Sequence, residues 1–407
     1  MSELPPGWML SRVGDAFDMQ LGKMLSKEAS AGVEQRCYLT NKNVQWNRLD
    51  FDSINFMSFD SAEREKFRLV RGDLLVTEGG EVGRTAMWEE ERGECYFQKS
   101  LHRLRSHGEI DPRFMLHYMQ YAARRRMFTD SVGQTSIAHL PQDKFAEHLI
   151  LHPADLAAQR RIVAAIDSLG EVERRIETSI AKLRDVRRGA VLMSLASISG
   201  KHPPKGWVRT PLKDVVPMAE YGTSEALNRD GRGTPVLRMN NIRNGRIDSH
   251  ELRYCPVPVP RQLYLRYGDV LFNRTNSIDH VGKAAMWRDE LPSATFASYL
   301  VRMNPDRSRM SPEYLIEWLM HPAIRQKVRS ISTVAVQQVN VNPSRLRELE
   351  IDYPADLSEQ RRLVSALESC DEQIAQEEGE LAKLRELKVG LVDDLLSGRV
   401  AVSVAGG

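Results

Sequence analysis

Both halves of the chain carry polar loops whose side chains could bond to the edges of DNA bases. Asparagine and glutamine pair with adenine, arginine pairs with guanine, and glutamate accepts a hydrogen bond from cytosine. The loops lie at 40–46, 78–80 and 133–136 in the first half and at 238–244, 274–277 and 337–340 in the second. For one such loop alone we would favour simple turn formation. Because three loops in each half share this chemistry, we predict that they read DNA.

The predicted DNA-binding residues form one set in each half. The first set is Asn41, Lys42, Asn43, Gln45, Glu78, Arg84, Gln134, Thr135 and Ser136. The second set is Arg238, Asn240, Asn241, Arg243, Arg274, Asn276, Lys283, Gln337, Gln338 and Asn340. Lysine and arginine in these sets would position the phosphates. Glu78 aligns with Arg274, which is the kind of difference expected between two readers of different sequences.

The motifs of the common nucleotide-dependent enzymes are absent from the sequence. It has no G-x-x-x-x-G-K-[ST] phosphate loop, no G-x-G-x-x-G after a strand and no N-P-P-[YF] methyltransferase motif. His148 and His152 flank a predicted strand, where their spacing does not converge on a metal, and no third ligand is evident. We therefore predict no catalytic residues and no metal site.

The polar loops recur because the chain is a tandem duplication. Pro-Pro-Gly-Trp at 5–8 returns as Pro-Pro-Lys-Gly-Trp at 203–207, and Gly-Asp-Leu-Leu at 72–75 returns as Gly-Asp-Val-Leu at 268–271. The period is about 200 residues, whereas the units of solenoid proteins have about 20 to 50. The pattern therefore indicates two copies of one domain.

Each copy ends in a long amphipathic stretch, from Asp155 to about Ser197 and from Asp356 to about Ser397. Apolar residues recur there at spacings of three and four, the pattern of helices that pair along a seam. The predicted seam residues are Ile162, Ile166, Leu169, Ile180 and Leu183 in one copy and Leu363, Leu367, Ile374, Leu381 and Leu384 in the other. Gly189 and Gly390 interrupt both helices at matching places, which suggests a close backbone approach, a bend or a surface kink. We predict that the two helices form one coiled coil.

The remaining sequence predicts α+β domains, because short strands do not alternate regularly with helices. The expected order is a recognition domain at 1–154, a long helix at 155–200, a second domain at 201–355, a second helix at 356–400 and a tail at 401–407. Strands are expected at Leu69 to Thr77 and Tyr267 to Asn273, where a Gly-Asp turn precedes an apolar run.

Composition favours a reduced, cytoplasmic protein. The 407 residues include four scattered cysteines without a C-x-x-C pair, and no apolar run is long enough for a membrane helix. The N-terminal residues lack the basic and apolar regions of a secretory signal. The net charge is only +2, which argues either against a nucleic-acid-binding protein or for one that binds DNA together with partners.

With these features, the chain resembles the specificity subunit of type I restriction-modification systems over nearly its whole length. The family's pattern is a G-x-T/Q-x-x-I loop, a strand, a proline and E-Q-x-R-I. The first copy follows it with Gly-Gln-Thr-Ser-Ile at 133–137, which is one residue shorter before the isoleucine, then with Pro153 and Gln-Arg-Arg-Ile at 159–162. The second copy matches it at 336–341, Pro354 and 359–363. Ala158 departs from the usual Glu, and the second copy lacks the loop glycine.

The resemblance implies that each domain is a target recognition domain that reads one half of a bipartite, asymmetric site on double-stranded DNA. Two antiparallel helices would space the domains and bind two methyltransferase (M) subunits. Those subunits, and not this chain, would bind S-adenosylmethionine and methylate adenine, so no cofactor is expected here. Motor-nuclease (R) subunits would join to cut unmodified phage DNA.

Two other classes of function stay open from the residues alone. One is an enzyme, namely a single-chain DNA methyltransferase or nuclease with unrecognised motifs. The other is a coiled-coil adaptor that contacts only protein. Methyl transfer by the isolated chain would favour the first, and failure to select any bipartite duplex would favour the second.

Overall fold

The structure is a computed structural model that describes residues 4–128, 139–194, 202–243, 245–334 and 338–400. The chain divides into two compact units. Unit 1 combines residues 1–177 with residues 379–407, and unit 2 is the continuous stretch 178–378. Each unit contains one recognition domain and part of each long helix. Among the described helices, none is long and apolar enough to cross a membrane.

Domain 1 opens and closes with paired strands. Its strands are β1 (Trp8–Arg12), β2 (Phe17–Leu21), β3 (Gln35–Leu39), β4 (Val44–Gln45), β5 (Arg48–Leu49), β6 (Asn55–Ser58), β7 (Leu74–Thr77), β8 (Thr85–Met87), β9 (Tyr96–Phe97), β10 (Leu101–Ser106) and β11 (Leu149–Pro153). Its helices are α1 (Val13–Ala16), α2 (Lys27–Ala31), α3 (Ser61–Phe67), α4 (Pro112–Arg124) and α5 (Gln142–Glu147), followed by the long α6 (Leu156–Ser194). Because β1 and β11 pair antiparallel, the domain closes just before α6 begins.

Two sheets form the body of domain 1. Strand β7 contributes side chains to two separate apolar cores. The sheet with the order β2-β10-β7-β8 is antiparallel, and the sheet β6-β3-β9 is mixed. Successive side chains of a strand point to opposite faces. Leu74 and Val76 of β7 accordingly lie in the core beneath α4, whereas Leu75 lies in a second core with Trp88 and Tyr96.

Domain 2 repeats this arrangement. Its strands are β12 (Trp207–Pro211), β13 (Glu220–Tyr221), β14 (Thr234–Leu237), β15 (Ile242–Arg243), β16 (Arg246–Ile247), β17 (Arg253–Cys255), β18 (Val270–Asn273), β19 (Thr275–Asn276), β20 (Ala284–Met286), β21 (Thr295–Phe296), β22 (Leu300–Arg302), β23 (Thr333–Val334), β24 (Val339–Asn340) and β25 (Glu350–Pro354). Its helices are α7 (Pro312–Met320), α8 (Pro322–Ser330) and α9 (Pro343–Arg347), followed by the long α10 (Leu357–Leu396). Short 3₁₀ turns occur at Leu212–Asp214, Met239–Asn241 and Arg261–Leu263.

The two main sheets of domain 2 match those of domain 1 strand for strand. The order β13-β22-β18-β20 corresponds to β2-β10-β7-β8, and β17-β14-β21 corresponds to β6-β3-β9. The terminal strands β12 and β25 pair antiparallel, as β1 and β11 do. The predicted duplication and the α+β fold class are confirmed.

Each long helix begins directly after an aspartate that caps its first turn. The carboxylate of Asp155 accepts hydrogen bonds from the amides of Ala157 and Ala158 at 3.0 and 3.1 Å. The carboxylate of Asp356 accepts from the Ser358 amide at 2.8 Å. These bonds satisfy amides that have no partner inside the helix. Helix α10 ends at Leu396, whereas the residues that follow Ser194 of α6 and the predicted tail at 401–407 lie outside the described residues.

Within unit 1, the first half of α6 packs antiparallel against the last part of α10. Ile162 and Ile166 share an apolar cluster with Val392 and Leu395. Glu173 lies among the apolar residues of α6, and its carboxylate accepts hydrogen bonds from Lys388 at 2.8 Å and from Arg385 at 2.7 Å. The polar interruption is thus an ion pair across the seam.

Within unit 2, the second half of α6 packs antiparallel against the first part of α10. Ser179 donates to Glu377 at 2.8 Å, and Arg187 donates to Asp371 at 2.5 Å. Arg187 also reaches Glu317 of α7 at 3.2 Å. Burial raises the pKa of Glu317, against the attraction of Arg187. A polar network therefore joins both long helices to the domain.

The predicted seam residues lie on the covered side of both helices. The buried ones are Ile162, Ile166, Ile180, Leu367, Ile374 and Leu381, and the half-buried ones are Leu169, Leu183, Leu363 and Leu384. A close backbone approach does not explain the two helical glycines, because a Cβ added at Gly189 or Gly390 would meet no described atom within 4 Å.

Candidate nucleic-acid interface

The first polar loop of each domain is built around a buried asparagine. Asn43 accepts from the Thr40 amide at 2.9 Å and donates to the carbonyls of Asp50 and Ser53, both at 2.9 Å. Asn241 makes the matching three bonds to the backbone of its own hairpin in domain 2. Both amide groups are thus occupied inside the loop. These two side chains hold the loop in shape, and we remove them from the predicted DNA contacts.

Other members of the loop in domain 1 remain accessible. Lys42 is exposed, and Asn41 and Gln45 are half-buried. The Gln45 side-chain amide donates to the Lys42 carbonyl at 3.1 Å, which leaves its oxygen open. The loop can therefore offer both a cation and amide groups to a ligand.

The matching loop in domain 2 is more cationic. Asn240 and Arg243 are exposed, and Arg238 is half-buried. Arg243 lies 2.9 Å from the carboxylate of Asp248, but its side chain is still 73% exposed. An exposed ion pair of this kind is weak, so Arg243 can exchange it for a phosphate.

The second polar loop of domain 1 is fixed through the backbone of Glu78. Its amide donates to the Ser100 carbonyl at 3.1 Å, and its carbonyl accepts from the Leu140 amide at 2.8 Å. The buried imidazole of His102 also contacts the Leu140 carbonyl at 2.9 Å, and burial lowers the pKa of His102. The backbone of Glu78 is therefore held by two neighbouring segments.

Arg274 occupies the same place in domain 2. Its amide donates to the Tyr299 carbonyl at 3.2 Å, and its carbonyl accepts from the Val341 amide at 2.8 Å. The two bonds match those of Glu78, so the alignment made from the sequence holds in three dimensions. A carboxylate in one domain and a guanidinium in the other thus project from equivalent backbone positions.

Domain 2 brings several predicted residues together beside Arg274. Strand β24 lies between β19 and β23, and the Thr275 hydroxyl donates to the side-chain oxygen of Asn340 at 2.6 Å. Asn276 and the exposed Gln338 lie next to this pairing. The sequence separates these residues by about sixty positions, and the short sheet joins them.

The third loop of domain 1 falls outside the described residues. Gln134, Thr135 and Ser136 lie there, and so does Gln337 of domain 2. Their roles remain predictions.

Arg84 connects two of the polar loops in domain 1. It donates to the Asn41 carbonyl at 2.7 Å and to the Glu81 carboxylate at 3.2 Å. The Trp46 indole also donates to Glu81, at 2.6 Å. Arg84 therefore positions the loops, and only part of its charge faces outward. Lys283 is half-buried at the equivalent position of domain 2.

Two buried glutamines attach each domain to its long helix, a role that the sequence reasoning missed. Gln159 accepts from the Asp111 amide at 2.8 Å and donates to the carbonyls of Glu109 and Pro153 at 3.0 and 2.9 Å. Gln360 makes the matching three bonds in domain 2. The signal was present in the repeated Gln-Arg-Arg at both helix starts.

A tyrosine beside Arg274 was also missed. The Arg274 guanidinium carbon lies 5.2 Å from the centre of the Tyr221 ring. The prediction considered only polar side chains in the loops, whereas Tyr221 lies in β13, more than fifty residues earlier. Strand pairing brings it to the site.

The two histidines considered as metal ligands have ordinary protein partners. His148 contacts the Tyr118 hydroxyl at 3.2 Å, and His152 contacts the Ser11 hydroxyl at 2.9 Å. Burial lowers the pKa of both. Across the described ranges, no three His, Cys, Asp or Glu side chains form a group that could hold a metal ion.

Comparison with known proteins finds the same family in both copies of the duplicated domain. A family model described as the type I restriction modification DNA specificity domain matches residues 5–183 and residues 204–386. The matches cover most of the chain, which therefore belongs to the family of type I restriction-modification DNA specificity proteins. This match confirms the prediction of a specificity subunit, which is a recognition chain and not a catalytic one. It favours that prediction over a methyltransferase, a nuclease or an adaptor.

Individual relatives agree with the family match. The chain is 22% identical over 388 residues to the type I restriction enzyme EcoKI specificity subunit of Escherichia coli K12, covering 90% of this chain and 82% of the relative. It is 27% identical over 198 residues to the putative type I restriction enzyme MjaX specificity subunit of Methanocaldococcus jannaschii, where the match covers 48% of this chain and 46% of the relative. The crystal structure of the HsdS subunit from Thermoanaerobacter tengcongensis shares the fold, with a TM-score of 0.53 at 18% identity over 98% of each chain.

Proposed function

We propose that each domain of this chain reads one half of a bipartite, asymmetric site on double-stranded DNA. The observation that carries the proposal is the pair Glu78 and Arg274. The backbone around them is the same in both domains, but their side chains have opposite charge. A purely structural role would not require opposite charges at these two positions. Two domains that read different base sequences would require different side chains there.

The proposed contacts in domain 1 are the accessible groups of the first two loops, namely Asn41, Lys42, Gln45 and Glu78, with Arg84 holding the loops together. In domain 2 they are Arg238, Asn240, Arg243, Arg274, Asn276, Lys283, Gln338 and Asn340. Amide, carboxylate and guanidinium groups read base edges, and lysine and arginine neutralise phosphates.

The long helices serve, in this proposal, as the spacer between the half-sites and as the docking site of two methyltransferase subunits. Val172, Val186 and Leu387 support docking, because these apolar side chains remain exposed on the helices. S-adenosylmethionine would bind to the methyltransferase subunits, and motor-nuclease subunits would join for cleavage in the cytoplasm. The net charge of +2 supports shared phosphate contacts, since DNA affinity depends on neutralised phosphates.

Selection from random duplexes tests the proposal directly. The full chain is purified with a methyltransferase subunit and allowed to bind the pool, and the bound duplexes are sequenced. We expect two short conserved blocks separated by a spacer of fixed length. Enrichment of one continuous block, or of none, would contradict the proposal.

Methyl transfer tests the division of roles. With labelled S-adenosylmethionine and the selected duplex, we expect transfer only when the methyltransferase subunit is present. Transfer by the chain alone would overturn the assignment of the cofactor to the partner.

A further inference from the structure

The side chain of Arg274 is held in one orientation by two contacts. The Tyr221 ring lies 5.2 Å below the guanidinium carbon, and Nε donates to the Thr275 hydroxyl at 3.3 Å. Thr275 itself donates to Asn340 at 2.6 Å, which fixes its hydroxyl oxygen as an acceptor. A ring on one face and a bond at Nε together set the plane of the guanidinium group.

The outer end of the same guanidinium is free. In the described part of the chain, Nη1 and Nη2 of Arg274 make no hydrogen bond. Arg302, in the same domain, is the contrast, because its Nε and Nη1 donate to Glu220 at 2.7 Å and to Asp269 at 2.9 Å. Arg302 is thus a structural arginine, whereas two parallel donors of Arg274 are without a partner among the described residues. Two parallel donors match the O6 and N7 acceptors of guanine.

The surroundings of this position change together between the domains. Tyr221 lies beside β22 immediately before Gly222, and Leu21 lies beside β10 immediately before Gly22. Where domain 2 has arginine over tyrosine, domain 1 has Glu78 and a leucine. The negative face of an aromatic ring attracts a cation and not a carboxylate. Tyr221 therefore belongs with the arginine and not with the common scaffold.

The two tyrosines that contact Arg274, one through its ring and the other through its backbone, are both partly exposed. Tyr221 is 48% exposed, and Tyr299, whose carbonyl holds the Arg274 amide, is 49% exposed. The half-exposed Tyr221 ring and the guanidinium end, which has no partner among the described residues, are the groups that a ligand could contact here.

We propose that Arg274 reads a guanine in the half-site of domain 2, and that Tyr221 positions the arginine for this contact. The inference deepens the proposed function and depends on it. Arg274 would contact the base, whereas Tyr221 would act through Arg274. A phosphate would also accept two hydrogen bonds from an arginine, but it carries no sequence information, so sequence selection separates the two contacts.

The test is selection from random duplexes by the full chain purified with a methyltransferase subunit. Arg274→Lys keeps the charge but loses the paired donors, and we expect the guanine preference at one position to fall about tenfold. Tyr221→Leu introduces the residue of domain 1, and we expect a fall of about two- to fivefold at that position. Tyr221→Phe keeps the ring and should retain the preference.

Two further variants make the test specific. Tyr267→Leu removes an equally exposed tyrosine, before the start of β18, and should leave selection unchanged. Thr275→Val removes the acceptor of Nε and should lower the same guanine preference, which keeps the idea testable if Tyr221→Leu fails to fold. The half-site of domain 1 should be unaffected in every variant.

Three results would overturn the inference while sparing the proposed function. They are a bipartite site without the guanine, a uniform loss of affinity in Arg274→Lys, and an unchanged preference in both Tyr221→Leu and Thr275→Val. If the wild-type complex selects no bipartite site, the proposed function itself fails.

Discussion

The side-chain oxygen of Gln159 accepts a hydrogen bond of 2.8 Å from the amide of Asp111. Asp111 caps α4 of the recognition domain, and Gln159 lies in the first turn of α6. Gln360 and Ser311 have the same relationship in domain 2, at 2.9 Å. Both glutamine residues are fully buried. Each domain is therefore attached to its helix by the same buried amide.

Gln159→Ala should destabilise the protein by about 3 kcal/mol, because it leaves the Asp111 amide and the Glu109 carbonyl without their partner in a buried place. Urea unfolding followed by circular dichroism measures the change. Gln142→Ala is the matched control, since that exposed side chain makes one bond of 3.3 Å to Met19. Equal, small effects of both substitutions would show that the buried amide does not hold the joint.

Gly189→Ala and Gly390→Ala should each stabilise the protein by up to about 1 kcal/mol, because alanine favours a helix interior and meets no obstruction. Thermal unfolding checks this. Gly222→Ala should do the opposite, since its Cβ would lie 2.0 Å from the Phe296 carbonyl oxygen. Destabilisation by the helical substitutions would mean that a close approach or bend requires glycine there.

The folded state should become less stable in acid, because Glu173 loses its charge there. Burial opposes its ionisation, but the hydrogen bonds from Lys388 and Arg385 outweigh burial and lower the pKa of Glu173. A carboxyl group with a lowered pKa stabilises the folded state above its unfolded pKa of about 4.3, and this stabilisation is lost as the pH falls through the folded value.

Glu173→Gln should therefore lower the melting temperature by about 3 °C at neutral pH and flatten its dependence on pH below about 4.3. Melting curves from neutral to acidic pH provide the measurement. Glu171→Gln is the control, because the partners of Glu171 among the described residues are exposed arginines of its own helix, where solvent weakens the ion pair. If both variants follow the wild-type pH dependence, the seam pair contributes nothing.

Glu78→Ala should change base preference in one half-site only. A paired contact to a base edge discriminates by about 1–3 kcal/mol, and domain 2 keeps its own contacts. Sequencing of selected duplexes gives the preference at each position. An equal loss at all positions of both half-sites would indicate a general effect on folding or on the DNA backbone.

The long helices were predictable, whereas the direction of individual loop side chains was not. The apolar stripe through Ile162 and Ile374 depends only on spacing along the chain, so the sequence contains it directly. Asn43 and Asn41 have the same chemistry two positions apart, but Asn43 turns inward because carbonyls of Asp50 and Ser53 surround it. Such partners become known only when the loop is folded.

Tyr221 illustrates a second limit of the sequence. Its proximity to Arg274 arises because β13 and β18 both pair with β22. A pattern within one loop cannot reveal a neighbour on another strand. Gly189 shows the converse, since its regular repetition as Gly390 suggested a close approach that the structure does not contain.

Unit 2 is one uninterrupted stretch of chain, but unit 1 needs both ends. Ile162 and Ile166 share their apolar cluster with Val392 and Leu395, which lie near the end of α10. On the ribosome, these residues cannot meet until the whole of the second domain has been synthesised. Of the two domains, the one that is translated earlier is therefore completed later, and its apolar helix face stays uncovered during the synthesis of the other.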